Sequence, residues 1–458
     1  MPSITTLHTL LLLVLVTFAL AAPQHGSIQK RGSFVVKRVP NPAFKGRTPG
    51  AGTRALIKAH RKYSIPLPAG LVDAMNAANA GSAGGVADAL TNSAALITGA
   101  TEDKAAKKKG KAAAAAASNT TTSATNATAG TGIVAATPEQ GDVEYLAPIS
   151  IGGQTMNMDF DSGSSDLWVF NTQLSTASQT GHTNFNPQKS TSFKLMQGAS
   201  FTISYGDGSG AAGNVGTDTV NIGGATVTSQ AIELATAVST SFVQDTNSNG
   251  LVGLAFSKLN TVKPTAQKTF FDNAMPNLAM PVFTADLRKA AAGAYTFGAI
   301  DSTKFNGSLS WAAVNTTNGF WQFSSTKFQV GTGAAMAVSG GQAIADTGTT
   351  LMLANAAIVN AYYSQVTGAV NNATVGGVTF PCNAVLPDLM VDVGGNYMAK
   401  VRGDDINFAA VDATGASCFG GLQAIQSDLQ IYGDIMFKSQ FVAFNGGNNS
   451  IGMAEHQS

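Results

Sequence analysis

Charged side chains are sparse in this 458-residue chain: Asp, Glu, Lys and Arg together make up only 12%. Cysteine is sparser still, with two residues, Cys382 and Cys418. None of the five histidines is spaced to join them in a metal site, so no zinc and no other cofactor is expected. In an exported chain such a pair most simply forms one disulfide, with two free thiols as the alternative. Closing a loop of that length stabilises by roughly 4 kcal/mol in the chain-entropy picture. Long apolar runs are nearly absent as well. The stretch 10-LLLLVLVTFALAAP-23 falls short of the roughly 20 residues that span a bilayer. It suits a signal peptide over residues 1–21, cut after Ala21, although the preceding MPSITTLHT lacks Lys and Arg. The polar end 447-GNNSIGMAEHQS-458 offers no lipid-anchor tail. The expectation is a secreted, extracellular protein with no membrane and no nucleic-acid partner.

What is present favours β-structure. There are 50 glycines, and Ser, Thr, Val and Phe recur in short alternating runs. The length allows two or three folding units. The net charge of +1 hides an asymmetry: residues 1–136 carry 15 Lys/Arg against 4 Asp/Glu, and residues 137–458 carry 12 against 22. A basic front and an acidic body suggest parts that attract; a basic tail with no fixed contact is the alternative.

In the front, 53-TRALIKAHRKY-63 has helical spacing, and Lys30-Arg31, Lys37-Arg38 and Arg61-Lys62 are candidate processing sites. Residues 70–136 drift into low complexity, with 104-KAAKKKGKAAAAAA-117 and 118-SNTTTSATNATAGTG-132, and are expected to form an unfolded linker. Asn119 and Asn126 there begin glycosylation sequons, as do Asn306, Asn315, Asn372 and Asn448 further on. From Val143 the texture changes to strand-like segments, 143-VEYLAPISI-151, 200-SFTISYG-206 and 219-TVNIGG-224. The clearest helical stretches are 267-QKTFFDNAM-275 and 355-NAAIVNAYYSQV-366.

Within this body, 158-MDFDSGSSDLWVF-170 sets a carboxylate, Asp161, inside an apolar run, where an unpaired charge costs several kcal/mol. A second run, 343-AIADTGTTLMLA-354, repeats the pattern 185 positions later. Each is followed some 90 residues on by an apolar pair and a glycine, in 251-LVGLAF-256 and 431-IYGDIMF-437. Two copies in two halves suggest an internal duplication that brings Asp346 to Asp161. Close carboxylates share a proton, so one acts as base on a water between them while the other donates to the carbonyl under attack. Gly163 and Gly348 let the loops turn and approach closely, and the hydroxyls of Ser162, Ser164, Thr347 and Thr349 fix them. No metal or covalent nucleophile is needed.

These motifs resemble the pepsin-like aspartic endopeptidases, most of all the secreted fungal aspergillopepsin type. The likeness runs from Glu139 to Ala454 and includes 141-GDVEYLAPISIG-152, 203-ISYGDGS-209, 250-GLVGLAF-256, 346-DTGTT-350, 380-FPCNAVLPDL-389 and 418-CFGGLQ-423. It implies a mostly β, bilobal fold with a cleft between lobes at 130–325 and 326–458, and one catalytic aspartate, Asp161 or Asp346, from each. It makes 203-ISYGDGSGAAG-213 a flap, in which the Tyr205 hydroxyl bonds to the Trp168 indole, with Gly206 and Asp207 at the tip. Asp207 then admits lysine before the cut bond, beside a main preference for large apolar residues; a plain turn aspartate is the alternative. Cys382 and Cys418 take the places of the second-lobe disulfide. Residues 22–129 become a prosegment with the linker, 54-RALIKAHRKYSIP-66 being similar to its core, and Lys62 the ammonium that reaches both aspartates. Falling pH would release it, leaving a mature start near Gly130, with cleavage nearer Lys111 as the alternative. The partners implied are protein and peptide substrates and the chain's own prosegment, and the enzyme is expected to be a monomer. Two departures, Asn249-Gly250 for a commoner Asp-Gly and Arg402 for proline, lie away from the aspartates. A catalytically silent binding protein of the same fold is the rival reading, although no expected aspartate is missing.

Overall fold

The computed structural model describes residues 47–79, 130–139, 141–204 and 210–457. All of them lie in one compact unit, Val39–Ser458. The fold is mostly β and bilobal, and the duplication seen in the motifs is repeated in the strand topology. In the first half, Gln154–Asp161 runs parallel to Gly250–Gly253, which pairs antiparallel with Leu167–Val169, which runs parallel to Ala225–Val238. In the second half, Gln342–Ala345 runs parallel to Leu429–Tyr432. That strand pairs antiparallel with Met352–Ala354, which runs parallel to Leu422–Ala424. Order and sense are the same. Parallel strands need both faces covered, and the apolar residues flanking each aspartate supply that: Met158, Phe160, Ile344 and Ala345 are all buried.

The halves are joined by a further sheet. Gly132–Pro138 pairs with Ala291–Phe297, which pairs with Val282–Arg288. The last two strands of the chain, Gln440–Asn445 and Ser450–Glu455, complete it, the first of them lying directly against Val282–Arg288. Sequence order therefore does not separate the lobes cleanly at residue 325. The disulfide Cys382–Cys418 is formed in the second half, beside the pairing of Gly377–Pro381 with Ser417–Gly420.

Two helices precede the body: α1, Ala51–Lys62, and α2, Ala69–Asn79. Helix α1 carries Ala51, Ala55, Leu56, Ile57 and Ala59 into the main core cluster, and His60, Arg61 and Lys62 in its last turn suit the helix dipole. A glycine is required at position 52, because a Cβ there would stand 2.3 Å from the Phe419 ring. Residues 70–136, expected to be an unfolded linker, are ordered at both ends. In α2, Leu71 and Met75 sit one turn apart and enter the core, and Gly132–Pro138 alternates buried and exposed residues strictly. The abundance of small residues masked that spacing. Among the described residues no helix is long and apolar enough to cross a membrane.

Candidate active site

Asp161 ends the strand Gln154–Asp161, and Asp346 directly follows Gln342–Ala345, so each half delivers one carboxylate from an equivalent strand. Both are buried. The loops that follow grip each other symmetrically. Ser162 N donates to Thr347 Oγ1 at 3.0 Å, and Thr347 N donates to Ser162 Oγ at 2.9 Å. The hydroxyls then reach back across the junction, Ser162 Oγ to Ala345 O at 2.9 Å and Thr347 Oγ1 to Phe160 O at 2.6 Å.

Each carboxylate is fixed in the same way by its own loop. Gly163 N donates to Asp161 Oδ1 at 2.8 Å and Gly348 N to Asp346 Oδ1 at 3.0 Å. Ser164 Oγ donates to Asp161 Oδ2 at 2.7 Å, and Thr349 Oγ1 donates to Asp346 Oδ2. The glycines are needed for space rather than for a left-handed turn, since neither has a positive φ. A Cβ on Gly163 would lie 2.6 Å from Asp346 Oδ1, and one on Gly348 would lie 2.4 Å from Asp161 Oδ1. Each loop thus passes against the opposite carboxylate.

Between the carboxylates lies the ammonium of Lys62, at the end of α1. Its Nζ donates to Asp161 Oδ1 at 2.8 Å and to Asp346 Oδ1 and Oδ2 at 3.0 and 2.9 Å. Tyr63 OH donates to Asp346 Oδ2 at 2.5 Å, a contact that no motif signals. Burial is the largest influence on Asp161 and raises its pKa, with Lys62 opposing and Asp346 reinforcing. At Asp346 burial is again largest, but Lys62, Thr349 and Tyr63 outweigh it and hold the carboxyl down at about 2. Burial alone would lower the Lys62 ammonium, yet the two carboxylates leave it raised. A single point within hydrogen-bond reach of both aspartates therefore exists, and this cation holds it.

Trp168 is fully buried against Phe170 and Phe242, and its Nε1 has no hydrogen-bond partner among the described residues. Tyr205, Gly206 and Asp207 lie outside the described residues; the strands on either side of them, Lys194–Ser204 and Gly210–Ile222, pair with Ser204 opposite Gly210.

Other acidic groups went unnoticed in the sequence. Asp159 shares a strand with Asp161, and Asp434 stands where the first repeat has Leu254; both are buried, and burial raises both well above the usual range. The mismatch between 251-LVGLAF-256 and 431-IYGDIMF-437 was a signal for the second. Glu139, Glu144 and Asp245 form a carboxylate cluster at the edge of the first half, with Lys58 Nζ 3.1 Å from Glu144 Oε2. It is the group of three or more possible metal-ligating side chains found among the described residues.

A family model described as eukaryotic aspartyl protease matches residues 144–456. A putative aspergillopepsin A-like aspartic endopeptidase of Aspergillus fumigatus is 51% identical over 330 residues, covering 71% of this chain and 77% of its own length. Penicillopepsin-1 of Penicillium rubens is 48% identical over 330 residues, 72% of this chain and 82% of the relative. Endothiapepsin of Cryphonectria parasitica is 42% identical over 430 residues, 93% of this chain and 90% of the relative, so that likeness reaches well in front of the body. With paired carboxylate loops from duplicated halves and a family match across most of its length, the chain belongs to the eukaryotic aspartyl protease family.

Proposed function

We propose that this aspartic endopeptidase is made as a secreted precursor whose own α1 blocks the carboxylate pair, and that acid releases it to cut internal peptide bonds. Asp161 and Asp346 are the catalytic residues. The observation that carries the reading is the position of Lys62 Nζ, within 3.0 Å of oxygens from both aspartates. When α1 leaves, a water takes that position. The pair then holds one proton between its members, because two adjacent carboxylates do not both ionise readily. The ionised member removes a proton from the water, whose oxygen attacks the peptide carbonyl carbon. The protonated member gives its proton to the carbonyl oxygen. The resulting tetrahedral diol collapses with cleavage of the C–N bond, and a carboxyl proton passes to the departing nitrogen. Ser164, Thr349 and the amides of Gly163 and Gly348 keep both carboxylates fixed throughout.

Acid release follows from the sign of the shift at Asp346; Asp161, raised by burial in the covered form, does not contribute to it. Asp346 is depressed in the covered form from an ordinary value of 3.8 to about 2. Its contribution to holding α1 is full above the ordinary value and is lost as pH falls towards the depressed one. Glu144, lowered while it faces Lys58, acts in the same sense. Residues 1–21 serve as the signal peptide, the mature chain starts near Gly130, and Asp207 on the flap with Tyr205 admits lysine beside the preferred large apolar residues. The deciding experiment digests acid-denatured globin with wild type, Asp161→Asn and Asp346→Asn, with pepstatin as control. Loss of cleavage in both variants and with inhibitor is expected; an inactive wild type would favour a silent binding protein. Lys62→Ala precursor should convert at higher pH than wild type, and an unchanged conversion profile would remove Lys62 from the blocking role.

A further inference from the structure

The sheet that joins the halves ends on one side at Ser310–Ala313. That strand pairs with Ser450–Glu455, and among the described residues no strand pairs with its other edge. An edge of this kind is a template on which another chain can add a strand. Its side chains alternate: Ala312 is buried, while Trp311 and Ala313 are exposed. Trp311 is 38% exposed and lies over Gly452 of the neighbouring strand, where a Cβ would stand 3.0 Å from the indole. One part of the ring covers backbone and the rest meets solvent, so the edge offers a second copy both hydrogen bonds and apolar surface.

Sequons stand at both ends of this strand. Asn306-Gly307-Ser308 closes two residues before it, and Asn315-Thr316-Thr317 opens two residues after it. A third, Asn448-Asn449-Ser450, lies beside the second end, where Val314 N donates to Asn449 O at 2.9 Å and Ala313 stands opposite Ser450. We propose that Asn306 and Asn315 carry N-linked glycans that overhang this edge from its two ends and keep copies of the enzyme from pairing along it. The inference rests on the secretion reading above, because such sugars are added to exported chains, and it goes beyond that reading to a modification and its role.

The folded chain has room for both sugars. In the transfer, Nδ2 bonds to the anomeric carbon of a lipid-diphosphate oligosaccharide, the bond from that carbon to the phosphate oxygen breaks, and the displaced proton leaves with the lipid diphosphate. Asn306 is exposed, and a Cβ on Gly307 beside it would meet nothing within 4 Å. Its Nδ2 donates one hydrogen to His456 O at 3.1 Å and keeps a second for the linkage. Asn315 is exposed too, and the protein holds it by its oxygen, which accepts from Thr317 N at 3.0 Å. A bulky, hydrated sugar at each end spans a strand only four residues long. Asn372 differs. It is half-buried, and Ala373 next to it faces α2, where a Cβ on Gly70 would lie 2.5 Å from the Ala373 Cβ. That sequon is remote from the edge strand in the sheet order and serves as a control.

The test expresses the full chain in a eukaryotic host, recovers it from the medium and trims it with an endoglycosidase that leaves one N-acetylglucosamine on each modified asparagine. Peptides spanning Asn306 and Asn315 should both carry that remnant, and a bare asparagine at either overturns the shield. Ser308→Ala, Thr317→Ala and Ser450→Ala together abolish the three sequons and leave every asparagine in place. In sedimentation this triple variant should associate at about tenfold lower concentration than wild type, and adding Trp311→Lys, a charge of the kind that blunts natural edges, should reverse the change. Thr374→Ala, which abolishes the Asn372 sequon, should leave association as in wild type. A triple variant that sediments like wild type, association that Trp311→Lys does not relieve, or an equal effect of Thr374→Ala overturns the shielding role. Failure of the chain to reach the medium overturns the secretion reading instead. Trimming the sugars from folded wild type should promote the same association, which decides the matter even where the triple variant folds poorly.

Discussion

Asp166, the last residue of the 161-DSGSSD-166 loop, is buried beside a second buried carboxyl, Glu233. Asn260 Nδ2 donates to both, at 2.9 Å to Asp166 Oδ1 and 3.0 Å to Glu233 Oε1, and Thr261 N and Oγ1 add donors to Asp166 at 2.8 and 3.0 Å. Glu233 Oε2 meets no N–H or hydroxyl donor among the described residues. Its remaining partner is Asp166, so one proton is shared within the pair. Burial, reinforced by Asp166, raises Glu233 well above its ordinary 4.5, and burial is the leading cause that raises Asp166, with Asp161 adding to it. Groups raised in this way stabilise the fold fully below their ordinary pKa, and the contribution is lost as pH climbs through the folded-state value. The active-site loop should therefore be held most firmly in acid and less firmly as pH rises. Glu233→Gln supplies the shared hydrogen permanently, so wild type should fall behind it by up to about 1.4 kcal/mol for each pH unit above the ordinary carboxylate pKa, until the folded pair itself deprotonates. Unfolding curves from pH 4 to 8 that coincide for both proteins would rule the pair out. This partnership was not legible in the sequence, because strand pairing that sets Trp168 opposite Glu233 is a long-range fact. The loops of Asp161 and Asp346 were legible because each is a contiguous motif, repeated.

At the level of elements, α1 is both a plug and a piece of the core. Leu56 and Ile57 are almost fully buried, and each such side chain contributes about 1.5–3 kcal/mol by leaving water. Hydrophobic packing does not respond to acid, so the charged contacts at Lys58 and Lys62 set the pH at which release begins, and the apolar face sets how completely. Leu56→Ala removes about 2–5 kcal/mol of packing and leaves both lysines in place. The precursor carrying it should cleave a fluorogenic peptide at neutral pH, where wild type is silent. Equal silence would mean that the ion pairs alone hold the helix. Helical spacing over residues 53–63 foretold this element, whereas α2 went unread because Leu71 and Met75 are isolated among small residues. What is missing locally is supplied by the body, whose Gly376 backs directly onto Leu71.

For the whole molecule the governing feature is the sheet that ties first-half strands to the end of the chain. Phe283 stacks on Phe444 with ring centroids 4.4 Å apart, and Trp321 meets the same Phe444 edge-on at 5.2 Å. Removing residues 450–455 takes the outer partner from Gln440–Asn445 and from Ser310–Ala313 together. Such a chain should show a large loss of cooperativity in thermal unfolding across both lobes, rather than a local defect at its end. A sharp single transition near the wild-type temperature would show the sheet to be dispensable. The duplicated motifs announced two lobes, but nothing in them announced that the second would return a strand to the first. The pairing of residue 442 with residue 285 also has a bearing on timing. A ribosome releases that strand long after its partner, so during synthesis the scaffold stays open well after the first half has emerged, and a protease able to digest its surroundings remains unfinished until the two strands meet.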